Sequence, residues 1–217
     1  MTVTHRLGAE WITAYTAGGL SEGQSLFVAS HLAFLPDSRQ TIAAAEAIGG
    51  VLLEELMPED MAPDALVRTL ARLDETVPPM TGAPRPSVRS AVLPEPLQSW
   101  LGCDVDDLKW GFLGPGMRKA MLWRGGHDER LWMLRAKPGV RIPRHGHNGT
   151  ELTLVLSGSI TDQHGTFRRG DVEETDGKDL HGLTAGPDEE CICLAITEGP
   201  VRFEGLIARL IQPFIGL

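Results

Sequence analysis

Three cysteines in 217 residues are too few for a disulfide framework. Positive charge is also scarce. Lys and Arg number 20 against 29 Asp and Glu, and the formal net charge of −9 disfavours direct contact with a nucleic-acid phosphate backbone. No apolar run approaches the length that spans a bilayer, and residues Met1 to Trp11 are polar and charged where a secretory leader needs an apolar core. The expectation is a soluble, unexported, cytoplasmic protein that makes no membrane or nucleic-acid contact. Its partner would be a protein or a small molecule. At 42 % hydrophobic content the chain can bury a sizeable core, although its length alone allows one domain or two.

The texture of the chain changes midway. From Gly8 to about Glu75, apolar residues recur at three- and four-residue spacings with few β-branched clusters, a helical pattern. Four helices fit. The first runs from Gly8 to Ala17 and stops at Gly18-Gly19, and the second starts at the N-cap Ser21 and ends near Pro36. Asp37 caps the third, which passes through Gly49-Gly50 to about Leu56. The fourth follows Pro63 and runs to about Asp74 with Leu66, Leu70 and Leu73 on one stripe. Such a stripe packs on neighbouring helices or serves a partner.

Six prolines between Pro78 and Pro96 remove backbone donors and favour extended conformations, the signature of an interdomain linker. After Leu97 come short segments of period-two alternation separated by glycine: Met117 to Trp123, Arg130 to Ala136, Glu151 to Leu156, Cys191 to Ile196 and Val201 to Ile207. That spacing suggests an all-β sandwich or barrel. The boundaries are then a helical domain over 1–77, a linker over 78–96 and a β domain over 97–217, an α+β multidomain chain.

The stretch Gly139 to Gly158 carries the chemistry. His145 and His147 share a strand face, and Glu151, beyond an Asn148-Gly149 turn, can return toward the same point. Further on, Gly170-Asp171 opens a strand that His181 closes, a fourth ligand candidate. These residues resemble the cupin superfamily, whose first motif reads Gly, five residues, His-x-His, three or four residues, Glu, six residues, Gly. Gly139 through Gly158 meets every element. The second motif, a glycine and a histidine eleven residues on, is met by Gly170 and His181, with Asp176 and Lys178 in place of the customary proline and glycine. The resemblance implies a double-stranded β-helix barrel in which His145, His147, Glu151 and His181 hold one divalent transition metal. Zinc is the first choice, and iron, manganese or nickel stay open. His127 and His164 match nothing and read as surface residues.

Helices, a proline-rich linker and a cupin barrel together resemble the ChrR-type anti-sigma factors. Leu20-Ser21-Glu22 after Gly18-Gly19, Glu151 to Leu156, Cys191 to Ala195 and Gln212-Pro213-Phe214 carry that likeness. It implies that the N-terminal helical domain sequesters an alternative sigma factor and that the barrel receives an oxidative signal such as singlet oxygen or an organic hydroperoxide. One departure stands out. Zinc anti-sigma domains carry His, three residues, Cys, two residues, Cys, but here His31 is followed by Leu35 and Ser38. Leucine cannot ligate and a serine hydroxyl is a poor zinc ligand, so no N-terminal zinc is expected. Leu35 would fill with packing the volume that metal holds elsewhere.

The other reading is a metal-dependent, dioxygenase-like cupin enzyme whose helices assemble subunits, for instance a homodimer. Arg141, Arg144 and Glu173 are its candidate polar residues, by nearness in sequence alone. Each is more often a solvated surface charge. Cys191 and Cys193, two apart in a strand, share a face; buried free thiols are the commoner arrangement, and a redox or metal role stays open.

Overall fold

The computed structural model describes residues 2–73, 90–146, 149–177 and 180–199 and the backbone of 202–203. Its first four helices are α1 (Ala9–Thr16), α2 (Glu22–Leu32), α3 (Ser38–Glu54) and α4 (Ala65–Leu73). The turn after α1 places Gly18 at φ +68°, a left-handed position that glycine takes without strain. Ser21 starts α2 by a capping box: its Oγ accepts from the Gln24 N–H while the Gln24 side chain accepts from the Ser21 N–H.

Two expected boundaries need correction. Helix α2 ends at Leu32 instead of near Pro36; Pro36 disfavours helical backbone at Leu35, so the helix does not run on into α3. Asp37 does stand at the N-cap of α3, but its side chain makes no cap hydrogen bond. It takes a 3.3 Å hydrogen bond from Arg6 instead.

A fifth helix, α5 (Glu95–Leu101), was not anticipated. Pro94 is its N-cap and Pro96 lies in its first turn, where a missing N–H costs nothing, and Gly102 closes it at φ +69°. The last prolines of the stretch read as a linker therefore start a helix whose Leu97 is completely buried. Residues 78–89 lie outside the described ones.

After a 3₁₀ turn (Val105–Asp107) the elements among the described residues are all strands: β1 (Gly111–Gly114), β2 (Met117–Arg124), β3 (Arg130–Ala136), β4 (Arg141–Gly146), β5 (Glu151–Ser157), β6 (Ser159–Thr161), β7 (Thr166–Arg168), β8 (Val172–Thr175), β9 (His181–Ala185), β10 (Cys191–Thr197) and β11 (Arg202–Phe203). They form two antiparallel sheets, ordered β1-β2-β3-β10-β5-β8 and β11-β4-β9-β6-β7. His181 opens β9; it does not close the strand that follows Gly170, as the motif spacing suggested. Of the expected strand from Val201 to Ile207, Arg202–Phe203 pairs with β4 and residues 204–207 lie outside the described ones.

The larger sheet is covered on both faces, which explains why β5 and β10 lack the polar alternation of a solvated strand. Cys191, Cys193 and Ala195 of β10 and Val155 of β5 point into the barrel, where they meet Trp132, Ile160 and Leu183. Their neighbours Ile192, Leu194 and Ile196, with Leu152, Leu154 and Leu156, point the other way and form one core with Leu26, Phe27, Val28 and Leu32 of α2. Helix α2 lies close: a Cβ on Gly23 would stand 2.7 Å from the Trp123 ring.

Polar contacts fix the same docking. The buried Asp171 carboxylate accepts from the Thr4 and His5 N–H groups at 2.6 and 2.9 Å, and the Val172 N–H donates to the His5 carbonyl at 3.0 Å. His31 is completely buried on α2. Its Nδ1–H donates to the Gly170 carbonyl at 3.1 Å and its Nε2 accepts from the Leu7 N–H at 3.4 Å. His31 thus bridges the N-terminal segment to the turn before β8. Leu35 packs against the shared core, while Ser38 begins α3.

Burial lowers the His31 pKa from 6.5 to about 4, overcoming the raising effect of the Gly170 carbonyl. A histidine held neutral stabilises the fold fully above its unfolded pKa and loses that contribution as pH falls from 6.5 toward 4. Chemical denaturation should show wild type losing, through this residue, up to about 1.4 kcal/mol per pH unit in that window. The His31→Gln variant should be less stable at neutral pH, with the difference shrinking as pH drops.

Candidate metal centre and docking face

The inner mouth of the barrel gathers His145 from β4, Glu151 from the start of β5 and His181 from the start of β9. Backbone register brings them together, since His145 pairs with His181 across β4 and β9. All three are buried. The Glu151 Oε2 lies 3.8 Å from His145 Nε2 and 3.4 Å from His181 Nε2, and a ligand atom of each falls within 4.8 Å of the others. Zinc bonded at about 2.0–2.2 Å to tetrahedral ligands would set those atoms about 3.5 Å apart. The group fits a metal ion. His147 lies outside the described residues.

Each histidine is already oriented. The Nδ1–H of His145 donates to the Pro143 carbonyl at 2.9 Å, and that of His181 donates to Glu173 Oε1 at 2.9 Å. Both Nε2 atoms are left turned toward Glu151. Glu173 is 3 % exposed and its Oε2 has no hydrogen-bond partner among the described residues. Burial, more than its bond to His181 can offset, raises the Glu173 pKa. Burial alone would lower the His181 pKa, but hydrogen bonds and charges from Glu151 and Glu173 outweigh it and push it up to about 10. Two buried carboxylates thus draw positive charge to one imidazole, and a divalent cation supplies such charge directly.

Glu173 is the residue that sequence reasoning misjudged as a surface charge. Its signal was faint: in Asp171-Val172-Glu173-Glu174 the alternation of β8 turns Val172 and Glu174 outward and Glu173 inward, and nothing local says which acid is buried. Arg141 and Arg144 are exposed, as are His127 and His164.

The cysteines of β10 meet inside the barrel, Sγ to Sγ 3.5 Å. Both are completely buried, and their mutual hydrogen bond together with burial raises the Cys193 pKa well above the ordinary thiol value. Both side chains are packed in the barrel core, away from solvent.

A second feature lies outside the barrel. Helices α3 and α4 bury no residue. Ile48, Val51, Leu52, Leu53 and Leu56 on or just beyond α3 are exposed, and so are Leu66, Val67, Leu70 and Leu73 on α4, between 52 % and 76 %. The Leu66, Leu70 and Leu73 stripe does not pack on the other helices among the described residues. So many exposed large apolar side chains on two neighbouring helices in sequence are the kind of surface that marks an interaction site. Among the described residues no helix is long and apolar enough to cross a membrane.

The barrel and its buried His/Glu/His group define the class, a cupin whose mouth fits a metal ion, joined to an N-terminal helical region. Residues 98–202 match the ChrR cupin-like domain family. The chain is 38 % identical over 216 residues to the anti-sigma-E factor ChrR of Cereibacter sphaeroides, covering 99 % of each chain. It is also similar to the crystal structure of Rhodobacter sphaeroides SigE in complex with the anti-sigma ChrR, with a TM-score of 0.77 and 37 % identity over 90 % of this chain and 99 % of that one. The chain therefore belongs to the ChrR family of anti-sigma factors.

Thiol titration of the native protein with a water-soluble disulfide reagent should modify Cys103, which is partly exposed, and spare Cys191 and Cys193. All three should react after denaturation.

Proposed function

We propose that the chain sequesters an alternative sigma factor of the extracytoplasmic-function type and releases it on an oxidative signal sensed through the cupin metal. The observation that carries this reading is the unburied apolar face of α3 and α4. Helices α1 and α2 are committed to the barrel by a shared core, whereas Leu66, Leu70 and Leu73 have no cover among the described residues. An apolar surface on a sigma factor would cover them, and burial of several leucines supplies several kcal/mol of association energy. The similarity to ChrR over the whole chain supports the same assignment. Sigma factors act on RNA polymerase in the cytoplasm, so in this reading the chain works there.

His145, Glu151 and His181, completed by His147, are the metal ligands in this reading, and zinc is the ion that best suits them. Four side chains satisfy tetrahedral zinc and leave no coordination position for a substrate, as a sensing site requires. No metal is assigned to His31, whose two ring nitrogens are engaged by backbone groups. The hydrogen-bond bridge and Leu35 do locally what coordination does in a zinc anti-sigma domain.

Co-expression with the extracytoplasmic-function sigma factors of the source genome should yield a complex with one of them and repress a reporter that depends on it; absence of both would overturn the anti-sigma reading. Leu66→Glu and Leu70→Glu, at exposed positions, should weaken the complex by about tenfold or more while leaving the melting curve of the free protein unchanged.

Elemental analysis should find one metal equivalent in the wild type and much less in Glu151→Ala or His181→Ala. A wild-type protein purified without metal and unable to take up zinc would remove the metal reading while leaving the docking face in place.

A further inference from the structure

Glu173 is buried in the barrel wall on β8, and its Oε1 accepts the His181 Nδ1–H at 2.9 Å. A metal-bound imidazole commonly donates its other N–H to a carboxylate, which fixes its tautomer and orientation and raises its basicity. On the far side of the same short segment stand the anchors of the helical region. The Gly170 carbonyl receives His31, Asp171 receives the Thr4 and His5 amides, the Val172 N–H is bonded to His5, and Glu174 Oε1 receives the Trp11 indole at 3.0 Å. Five consecutive residues therefore touch a metal ligand on one face and the N-terminal segment with α1 and α2 on the other.

We propose that Glu173 is the positioning residue of the metal centre and that, through β8, it ties metal occupancy to the docking of the N-terminal segment. Glu173 holds the imidazole of His181 with Nε2 toward Glu151, ready to ligate. With the metal bound, His181 is held from both sides, and through Glu173 this steadies β8 and the turn before it that carries Gly170 and Asp171. The signal then reaches the helices by a strand already bonded to them. This inference rests on the reading of His145, Glu151 and His181 as metal ligands.

The test compares the full-length wild type with Glu173→Gln, which keeps an acceptor, and Glu173→Met, which keeps the volume and removes it. Zinc affinity is measured by competition with a chromophoric chelator, and the ligand field by the visible spectrum of the cobalt-substituted protein. Glu173→Met should bind zinc about 10–100-fold more weakly, with a shifted cobalt spectrum, and Glu173→Gln should fall between it and the wild type. Hydrogen exchange of wild-type peptides over residues 2–8 and 168–175 should slow on zinc addition, and this slowing should be lost in Glu173→Met even at saturating zinc.

Wild-type affinity and cobalt spectrum in both variants would overturn the positioning role. Zinc binding by the wild type with no change in exchange over 2–8 would overturn the coupling. Should Glu173→Met fail to fold, Glu173→Gln decides alone, a loss of affinity supporting the proposal and an unchanged affinity overturning it. A wild type that takes up no zinc would instead remove the metal reading beneath both.

Discussion

The burial of the six-stranded sheet on both faces is the constraint on which the rest of the molecule depends. Its inner face closes the barrel, and its outer face is apolar along β3, β5 and β10 and cannot stand in water. Helices α1 and α2 cover it, with Phe27 and Val28 completely buried. Once those helices are committed to the barrel, α3 and α4 are left to project with their leucines uncovered. The division of labour between a docked layer and an exposed one follows from where the apolar area has to go.

The same sheet positions the chemistry. Strands β5 and β8 pair directly, with Glu151 opposite Thr175 and Thr153 opposite Glu173, so two acids enter one apolar barrel within a few residues of each other. A buried carboxylate is tolerated where hydrogen bonds and positive charge meet it. Here both acids converge on His181, and a cation at the cluster would satisfy Glu151 directly and Glu173 through the imidazole. The barrel wall that carries this arrangement also carries Asp171 and Gly170, to which the N-terminal segment is bonded. Metal site and helical layer are thus neighbours through the thickness of one strand.

Much of this was legible before the structure. The Gly18-Gly19 stop and the Ser21 capping box act locally, so the limits of α1 and the start of α2 were read correctly. The strands around Met117, Arg130, Glu151 and Cys191 were expected from short alternating segments between glycines, although β5 and β10 proved to be buried on both faces. Motif spacing singled out His145, His147, Glu151 and His181, and the structure brings three of them together, His145 and His181 by backbone register between β4 and β9. Failures came where a residue had two competing partners. Asp37 has the chemistry of a cap but goes to Arg6, and Pro94 and Pro96 look like linker residues but open α5, because Leu93 and Leu97 find a core to enter.

The chain's own order of residues was enough to decide helix then barrel, the identity of His145, Glu151 and His181 as a group, and the absence of thiolates at Leu35 and Ser38, because each depends on residue type and short-range spacing. Tertiary packing decided that Glu173 is buried behind His181, that His31 bridges Leu7 and Gly170, and that the α4 stripe stays uncovered. Those outcomes depend on how whole sheets and helices meet, as His31 meets Gly170 139 residues further along the chain, and no local pattern encodes that meeting.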